Sequence, residues 1–310
     1  MSAPEAPELD AWLGRERVEE DLLALGPARS LAATLDRSGE ELREGVPLPP
    51  GWHWIYFRSP AARSRLGSDG HEKLGEFLPA LPDSRRMWAG GNLRLSGSLL
   101  LGERVERRTT VEAITPKAGR SGSLIFVTLR HRISSSRGVV VDEEQELVYR
   151  PAGPSGPGAH AAEGGAGEGA TGSAAAGAAA RASTAADLPE PAWWEPFVAD
   201  EVTLFRFSAL TFNGHRIHYD QPYATGVEGY PGLVVHGPLL ALLLLDAGVR
   251  RLPGGRAALG GKLLSFRCRA VRPAYCNEPL RLEGLPDEGS LRAVHAERGV
   301  LMEAALTSTT

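Results

Sequence analysis

GLVVHGPLLALLLLDAGVRR, residues 232 to 251, decides the fold, because it holds the longest apolar run of the chain, Pro238 to Leu245. That run is far short of the roughly 20 residues needed to cross a bilayer, so it predicts a buried helix from about Pro238 to Arg251. Proline suits the first turn of such a helix, where its missing N–H has no acceptor to lose. Downstream come four β-prone runs, Lys262 to Ala270, Pro279 to Leu285, Leu291 to Arg298 and Val300 to Thr307. One long apolar helix followed by a meander predicts an antiparallel sheet wrapped around that helix, an α+β arrangement.

Working outward, Glu201 to Ala209 is expected as a strand. Further upstream the same rhythm recurs in Leu93 to Leu101, Glu103 to Ile114, Ser123 to Ile133 and Val139 to Tyr149, separated by Gly-, Pro- and Ser-containing turns. Pro27 to Leu35 has helical composition, and Gly51 to Phe57 is aromatic and β-prone. The first half therefore reads as a degenerate copy of the second. Between them, 9 Gly and 15 Ala fill 24 of the 36 residues from Ala152 to Asp187, and no large apolar side chain occurs. Such a stretch cannot offset its ordering entropy by burial. The expected organisation is 1–151, a disordered linker at 152–187, and 188–310.

Composition narrows the function. The 310 residues carry 34 Lys and Arg against 38 Asp and Glu, a net charge of −4, which excludes a strongly basic nucleic-acid or lipid-binding surface. Two cysteines, Cys268 and Cys276, are too few for a disulfide framework or a thiolate cage and suit a reducing compartment. The opening residues mix acids and bases without an apolar stretch, so a cytoplasmic protein is expected.

The chemistry concentrates near the predicted helix. His215, His218 and His236 make three of the eight histidines within 22 residues. Asn213-Gly214 marks a turn, and Asp220 can cap a short helical turn through Tyr223. The N–H groups of Gly237 and the first helical turn converge with the positive end of the dipole, a site for a polarised carbonyl or oxyanion. His218 is the candidate proton-transfer group and Asn213 a neutral hydrogen-bonding partner. His236 orients the turn or takes part directly. His215 and Arg216 either bind a substrate carboxylate or lie on an exposed loop, and Tyr223 and Tyr230 are candidate pocket walls. Arg267, with Lys262, Arg269 and Arg272, either contacts phosphates or belongs to a solvated strand face. His215, His218 and Asp220 also form an H-x-x-H-x-D string, but no second shell accompanies it and no metal is expected.

TFNGHRIHYD, residues 211 to 220, resembles the hydratase motif of MaoC-like, (R)-specific enoyl-CoA hydratases, and Val234-Val-His-Gly-Pro-Leu resembles their helix entry. On this resemblance His218 falls on the catalytic histidine, Gly237 on the glycine whose N–H holds the thioester carbonyl, and Asn213 on the catalytic aspartate. His215 stands for an asparagine and Arg216 for a proline. FNGHRIHYD followed by EGYPGLVVHGPL is similar to one branch, the mesaconyl-C(4)-CoA hydratase and 3-hydroxyacyl-thioester dehydratase group. Gly51-Trp-His-Trp54 and Arg85-Arg-Met-Trp-Ala-Gly-Gly91 are similar to the same group. The resemblance implies a double hotdog, a homodimer, and a hydro-lyase acting on acyl-CoA or acyl-carrier thioesters. It implies no cofactor beyond the coenzyme A of the substrate, and hydration of mesaconyl-C(4)-CoA to citramalyl-CoA. The alternatives are a 3-hydroxyacyl-thioester dehydratase of fatty-acid type, a thioesterase, and a non-catalytic acyl-CoA-binding protein.

Overall fold

The computed structural model describes residues 9–81, 84–119, 122–151, 184–255, 263–287 and 289–309. Within them, ten strands form one antiparallel sheet in the order β1-β3-β4-β5-β2-β7-β10-β9-β8-β6. The first half supplies β1 (Glu16–Leu22), β2 (Ser84–Leu95), β3 (Arg104–Gly119), β4 (Gly122–Ser135) and β5 (Gly138–Pro151). The second supplies β6 (Trp193–Val198), β7 (Leu263–Ala270), β8 (Pro279–Gly284), β9 (Ser290–His295) and β10 (Gly299–Thr309). The expected linker at 152–187 lies outside the described residues except for its last four, where Thr184 caps a 3-10 turn at Ala185–Asp187.

Two halves become one sheet where β2 pairs with β7, Gly90 opposite Arg269 and Gly91 opposite Cys268. A bulge falls between Trp88 and Gly90 on the other side of β2. Gly90 sits at φ 150°, and a Cβ there would stand 2.2 Å from the Cys268 carbonyl oxygen, so the seam admits no side chain at this position. The glycine pair of MWAGG is thus a backbone-to-backbone contact.

The sheet is accompanied by α1 (Leu25–Thr34), α2 (Glu201–Thr211), α3 (Gln221–Gly226) and α4 (Gly237–Arg251). The predicted apolar helix is α4. Every residue from Leu239 to Val249 is buried, and the helix packs on β2, β7, β8, β9 and β10. Its one internal acid, Asp246, is paired by Arg37 of the first half at 3.2 Å and by Arg250 at 3.1 Å. The main core runs through both halves, from Leu23 and Trp52 to Leu301 and Leu306. A second cluster, including Val111, Val127, Leu129, Leu147 and Tyr149, lies on β3, β4 and β5.

Three segments differ from expectation. Glu201 to Ala209 is helical, not a strand. Asp200 caps it by accepting the Thr203 N–H at 2.7 Å, and the buried pair Leu204 and Phe207 follows i, i+3 spacing while Phe205 is 68% exposed. Gly51 to Phe57 is not extended either; Trp52–Ile55 forms a 3-10 turn with Trp52, His53 and Ile55 buried. Leu93 to Leu101 is also shifted, since β2 ends at Leu95.

Candidate active site

Asp220 caps α3 by accepting the Tyr223 N–H at 3.1 Å. The chain from Asn213 to Asp220 is thereby held as a compact turn ahead of α3. Val234 donates its N–H to Ile217 O at 3.0 Å, which brings the entry of α4 against this turn.

The result is a close set of imidazoles. His218 Nδ1 lies 2.7 Å from Val234 O. A carbonyl can only accept, so Nδ1 carries the proton and Nε2 keeps its lone pair. The His218 ring stacks on His236 with centroids 3.6 Å apart and planes 19° apart, and meets His215 edge-on at 5.4 Å. His236 Nε2 is 2.8 Å from Ser208 Oγ of α2. Its Nδ1 is buried without a protein partner. Burial lowers the pKa of His218 to about 4 and that of His236 well below its ordinary value, so both rings are neutral near pH 7.

Asn213 Oδ1 accepts the His215 N–H at 3.0 Å. This Asx turn consumes the oxygen and leaves the Nδ2 amine to donate. At the start of α4, Gly237 has no intrahelical acceptor for its N–H. A Cβ on Gly237 would stand 2.6 Å from Trp88 Cε3, so the indole from β2 closes directly over this glycine.

A cavity of about 250 Å³ reaches from Asn213, His236 and Pro238 to the first half; His218, stacked on His236, and Gly237, between His236 and Pro238, adjoin its wall without being among its lining residues. Phe207, Thr211, Asn213, His236 and Pro238 line it from one side, and Trp88, His53, Trp54, Arg107, His131, Glu143 and Gln145 from the other. Among the described residues, Glu143 is its only acidic lining residue.

Other candidates are placed differently. Arg216 is held at 2.7 Å by Asp220, donates to Ser68 O at 3.0 Å and lies over the Tyr223 ring, so its guanidinium braces the turn. The Tyr223 hydroxyl donates to Glu228 Oε1 at 3.1 Å, behind the cavity lining. Burial, then the Glu228 charge, raises its pKa. Tyr230 is buried near Tyr275 and is not among the lining residues. Arg267 stands on the exposed face of β7, opposite in parity to the buried Phe266 and Cys268, and the structure does not bring it to the cavity. The H-x-x-H-x-D string does not converge, since His218 bonds Val234 O and Asp220 bonds Arg216.

Residues beyond the motif join the site through the fold. The loop carrying Asp69 and His71 lies on the Asn213 turn, with Arg216 N–H donating to Asp69 O at 2.9 Å. His71 Nδ1 is 3.0 Å from Asp69 Oδ2, and its ring packs on His215 at 4.1 Å. Asp69, His71 and His215 place donor atoms within 4.8 Å of one another, close enough to share an ion, although the contacts present are hydrogen bonding and ring packing. Burial, then the neighbouring imidazoles, lowers the His215 pKa to about 2. Neither Asp69 nor His71 carried a local motif. For Trp88 and His53 the quoted motifs were the signal. For Arg107, His131, Glu143 and Gln145 the signal is strand parity: each shares it with buried neighbours such as Val105, Ile133 and Val141.

Comparison with known proteins gives the family and the fold. Residues 51–276 match the family model for hydroxyacyl-thioester dehydratase type 2. The chain is 41% identical over 279 residues to the mesaconyl-C(4)-CoA hydratase of Chloroflexus aurantiacus, covering 89% of each chain. It is 28% identical over 258 residues to the mitochondrial hydroxyacyl-thioester dehydratase type 2 of Schizosaccharomyces pombe, covering 76% of this chain and 77% of that one. Among solved structures, a MaoC-like dehydratase from Phytophthora capsici superposes with a TM-score of 0.63 at 15% identity, covering 99% of this chain and 100% of that one. A double-hotdog protein of Mycobacterium tuberculosis superposes with a TM-score of 0.52 at 15% identity, covering 96% of both chains. The fold is a double hotdog.

Proposed function

Because the chain belongs to the hydroxyacyl-thioester dehydratase type 2 family, we propose that it is a hydro-lyase that adds water reversibly to enoyl thioesters, with mesaconyl-C(4)-CoA as its substrate. The observation that carries this reading is the state of His218. Its Nδ1 is committed to Val234 O, its ring is neutral, and its Nε2 is left as a base beside the helix entry at Gly237.

The thioester carbonyl docks on the Gly237 N–H and the positive end of α4, which withdraws electrons and makes the β-carbon electrophilic. His218 Nε2 takes a proton from water while the water oxygen bonds to the β-carbon. The Asn213 amine donates to that water and fixes its position, a role open to an amide that cannot itself take the proton. The electron pair of the double bond moves onto the thioester as an enolate, held by Gly237. The imidazolium of His218 then returns its proton to the α-carbon, so one water has added and the enzyme is restored. Run backwards, the same steps dehydrate a 3-hydroxyacyl thioester.

Coenzyme A enters as part of the substrate, with a carrier-protein thioester as the alternative, and no further cofactor takes part. We place the enzyme in the cytoplasm as a homodimer. In the described residues no helix is long and apolar enough to cross a membrane. A hydratase rather than a thioesterase is favoured by the cavity lining, in which the one carboxylate among the described residues, Glu143, stands across from Asn213, His236 and Pro238 and is already bonded to His53 and Trp54.

The test is incubation of the pure chain with a panel of enoyl-CoA esters, following absorbance of the conjugated double bond and release of free thiol. Loss of the double bond without thiol is expected. Thiol release with the double bond intact would assign a thioesterase, and tight binding without turnover a binding protein.

A further inference from the structure

The sheet of the first half carries polar side chains where a strand of this kind should be apolar. Thr109, His131 and Glu143 are register partners across β3, β4 and β5, forming one row on the inward face. Arg107 lies in the row on one side of it, opposite Ile133, and Gln145 in the row on the other side, opposite Leu129. Burying such groups costs free energy unless each is bonded, and the bonds here show what is left over.

His131 Nε2 is 3.1 Å from Gln145 Oε1, an oxygen that can only accept, so Nε2 carries the proton and Nδ1 accepts from the Thr109 hydroxyl at 2.8 Å. Glu143 accepts from Trp54 Nε1 at 2.9 Å and is bonded to His53 Nε2 at 3.0 Å. Burial opposes its charge, yet the His53 bond and the nearby imidazoles hold its pKa below the ordinary value. Arg107 uses Nε and Nη2 on Glu19 and Nη2 again on Phe57 O. The acceptors of this wall are therefore engaged, while the Gln145 amine and Arg107 Nη1 remain as donors. Both residues line the same cavity as Asn213 and His236.

We infer that this wall is the subsite for a free carboxylate on the acyl chain, bound by Arg107 Nη1 and the Gln145 amine, with His131 positioning Gln145. The inference rests on the hydratase reading above and deepens it by assigning the residues that select the acyl group. In mesaconyl-C(4)-CoA the carboxylate is borne by the β-carbon itself, so a carboxylate held on the first-half wall presents that carbon to a water on Asn213. The first half is then the specificity-determining half, and the second supplies the proton transfer.

The experiment compares kcat/KM for mesaconyl-C(4)-CoA and for 3-methylcrotonyl-CoA, the enoyl thioester with methyl in place of carboxylate, in the wild-type chain and in Gln145→Leu and Arg107→Lys. Arg107→Lys keeps a cation for Glu19, and melting temperatures check that each variant folds. The ratio of the two kcat/KM values should fall about 10- to 100-fold in each variant, chiefly through KM for the carboxylate substrate, in keeping with loss of one charge-assisted or carboxylate hydrogen bond. An unchanged ratio in both variants, or a wild-type chain that does not prefer the carboxylate substrate, overturns the subsite while leaving the hydratase reading intact. Failure of the wild-type chain to hydrate either ester overturns both.

Discussion

The imidazole of His218 lies flat on that of His236, 3.6 Å between centroids, with Val234 O fixing the proton on the first ring and Ser208 engaging the second. Of these two stacked neutral imidazoles His236 immediately precedes the glycine-entered helix, so the stack sets the His218 base beside the oxyanion site at Gly237. Their burial keeps the pair neutral, and neutrality lets His218 accept a proton.

Asn213 is the position at which the site departs from an acid and base pair. Asn213→Ala should lower kcat by about 10- to 100-fold, since a water-positioning donor is lost. Asn213→Asp should retain activity, because one carboxylate oxygen can keep the His215 N–H bond and the other can hold the water. Steady-state kinetics on both variants check this, and wild-type turnover in Asn213→Ala contradicts it.

Gly237 is held by Trp88 as well as by chemistry. Gly237→Ala places a Cβ 2.6 Å from the indole, so the ring or the helix start must move away from the carbonyl site. A loss of about 100-fold in kcat is expected, the size associated with removing an oxyanion donor. In Trp88→Leu/Gly237→Ala the clash is relieved, and activity should recover relative to Gly237→Ala alone. No recovery would place the defect elsewhere.

Stability should depend on pH through the imidazoles. His71, His131, His215, His218 and His236 all have folded pKa values below the ordinary 6.5, each chiefly through burial. Well above pH 6.5 neither folded nor unfolded rings are protonated, and the dependence vanishes. Below it the unfolded chain takes up protons that the folded chain refuses, so stability falls with pH; for His218 the loss continues to about pH 4 and amounts to on the order of 3 kcal/mol. Asp69 and Glu143, whose pKa values are lowered, add losses only in the carboxylate range. Urea midpoints should be flat from pH 9 to 8, begin to fall by pH 7 and drop steeply toward pH 5. A midpoint unchanged at pH 5 contradicts the burial of neutral rings.

Much of this was legible along the chain, and the reasons are local. α4 announced itself by apolar composition, and His218, Asn213 and Gly237 lie within 25 residues in a motif whose hydrogen bonds are short-range. α2 was misread because Phe205 and Phe207 alternate with polar neighbours like strand residues, while the signal that decides, the Asp200 cap, is one side chain. The first-half contribution was hidden for a different reason. Asp69 and His71 reach the site through a loop laid on the Asn213 turn, and Arg107 and Glu143 through the β2 to β7 seam and the register of β3, β4 and β5, none of which a short window of sequence contains. Arg216 and Arg267 looked like ligand-binding cations because sequence does not show that Asp220 engages one and that the other faces solvent.

The most direct measurement is single-turnover hydration of mesaconyl-C(4)-CoA by the wild-type chain and by His218→Ala, with folding checked by melting temperature. The wild-type chain should consume the conjugated double bond without releasing thiol, and folded His218→Ala should be at least about 1,000-fold slower, since the base that takes the proton from water is gone. Near-normal turnover in folded His218→Ala would contradict the account.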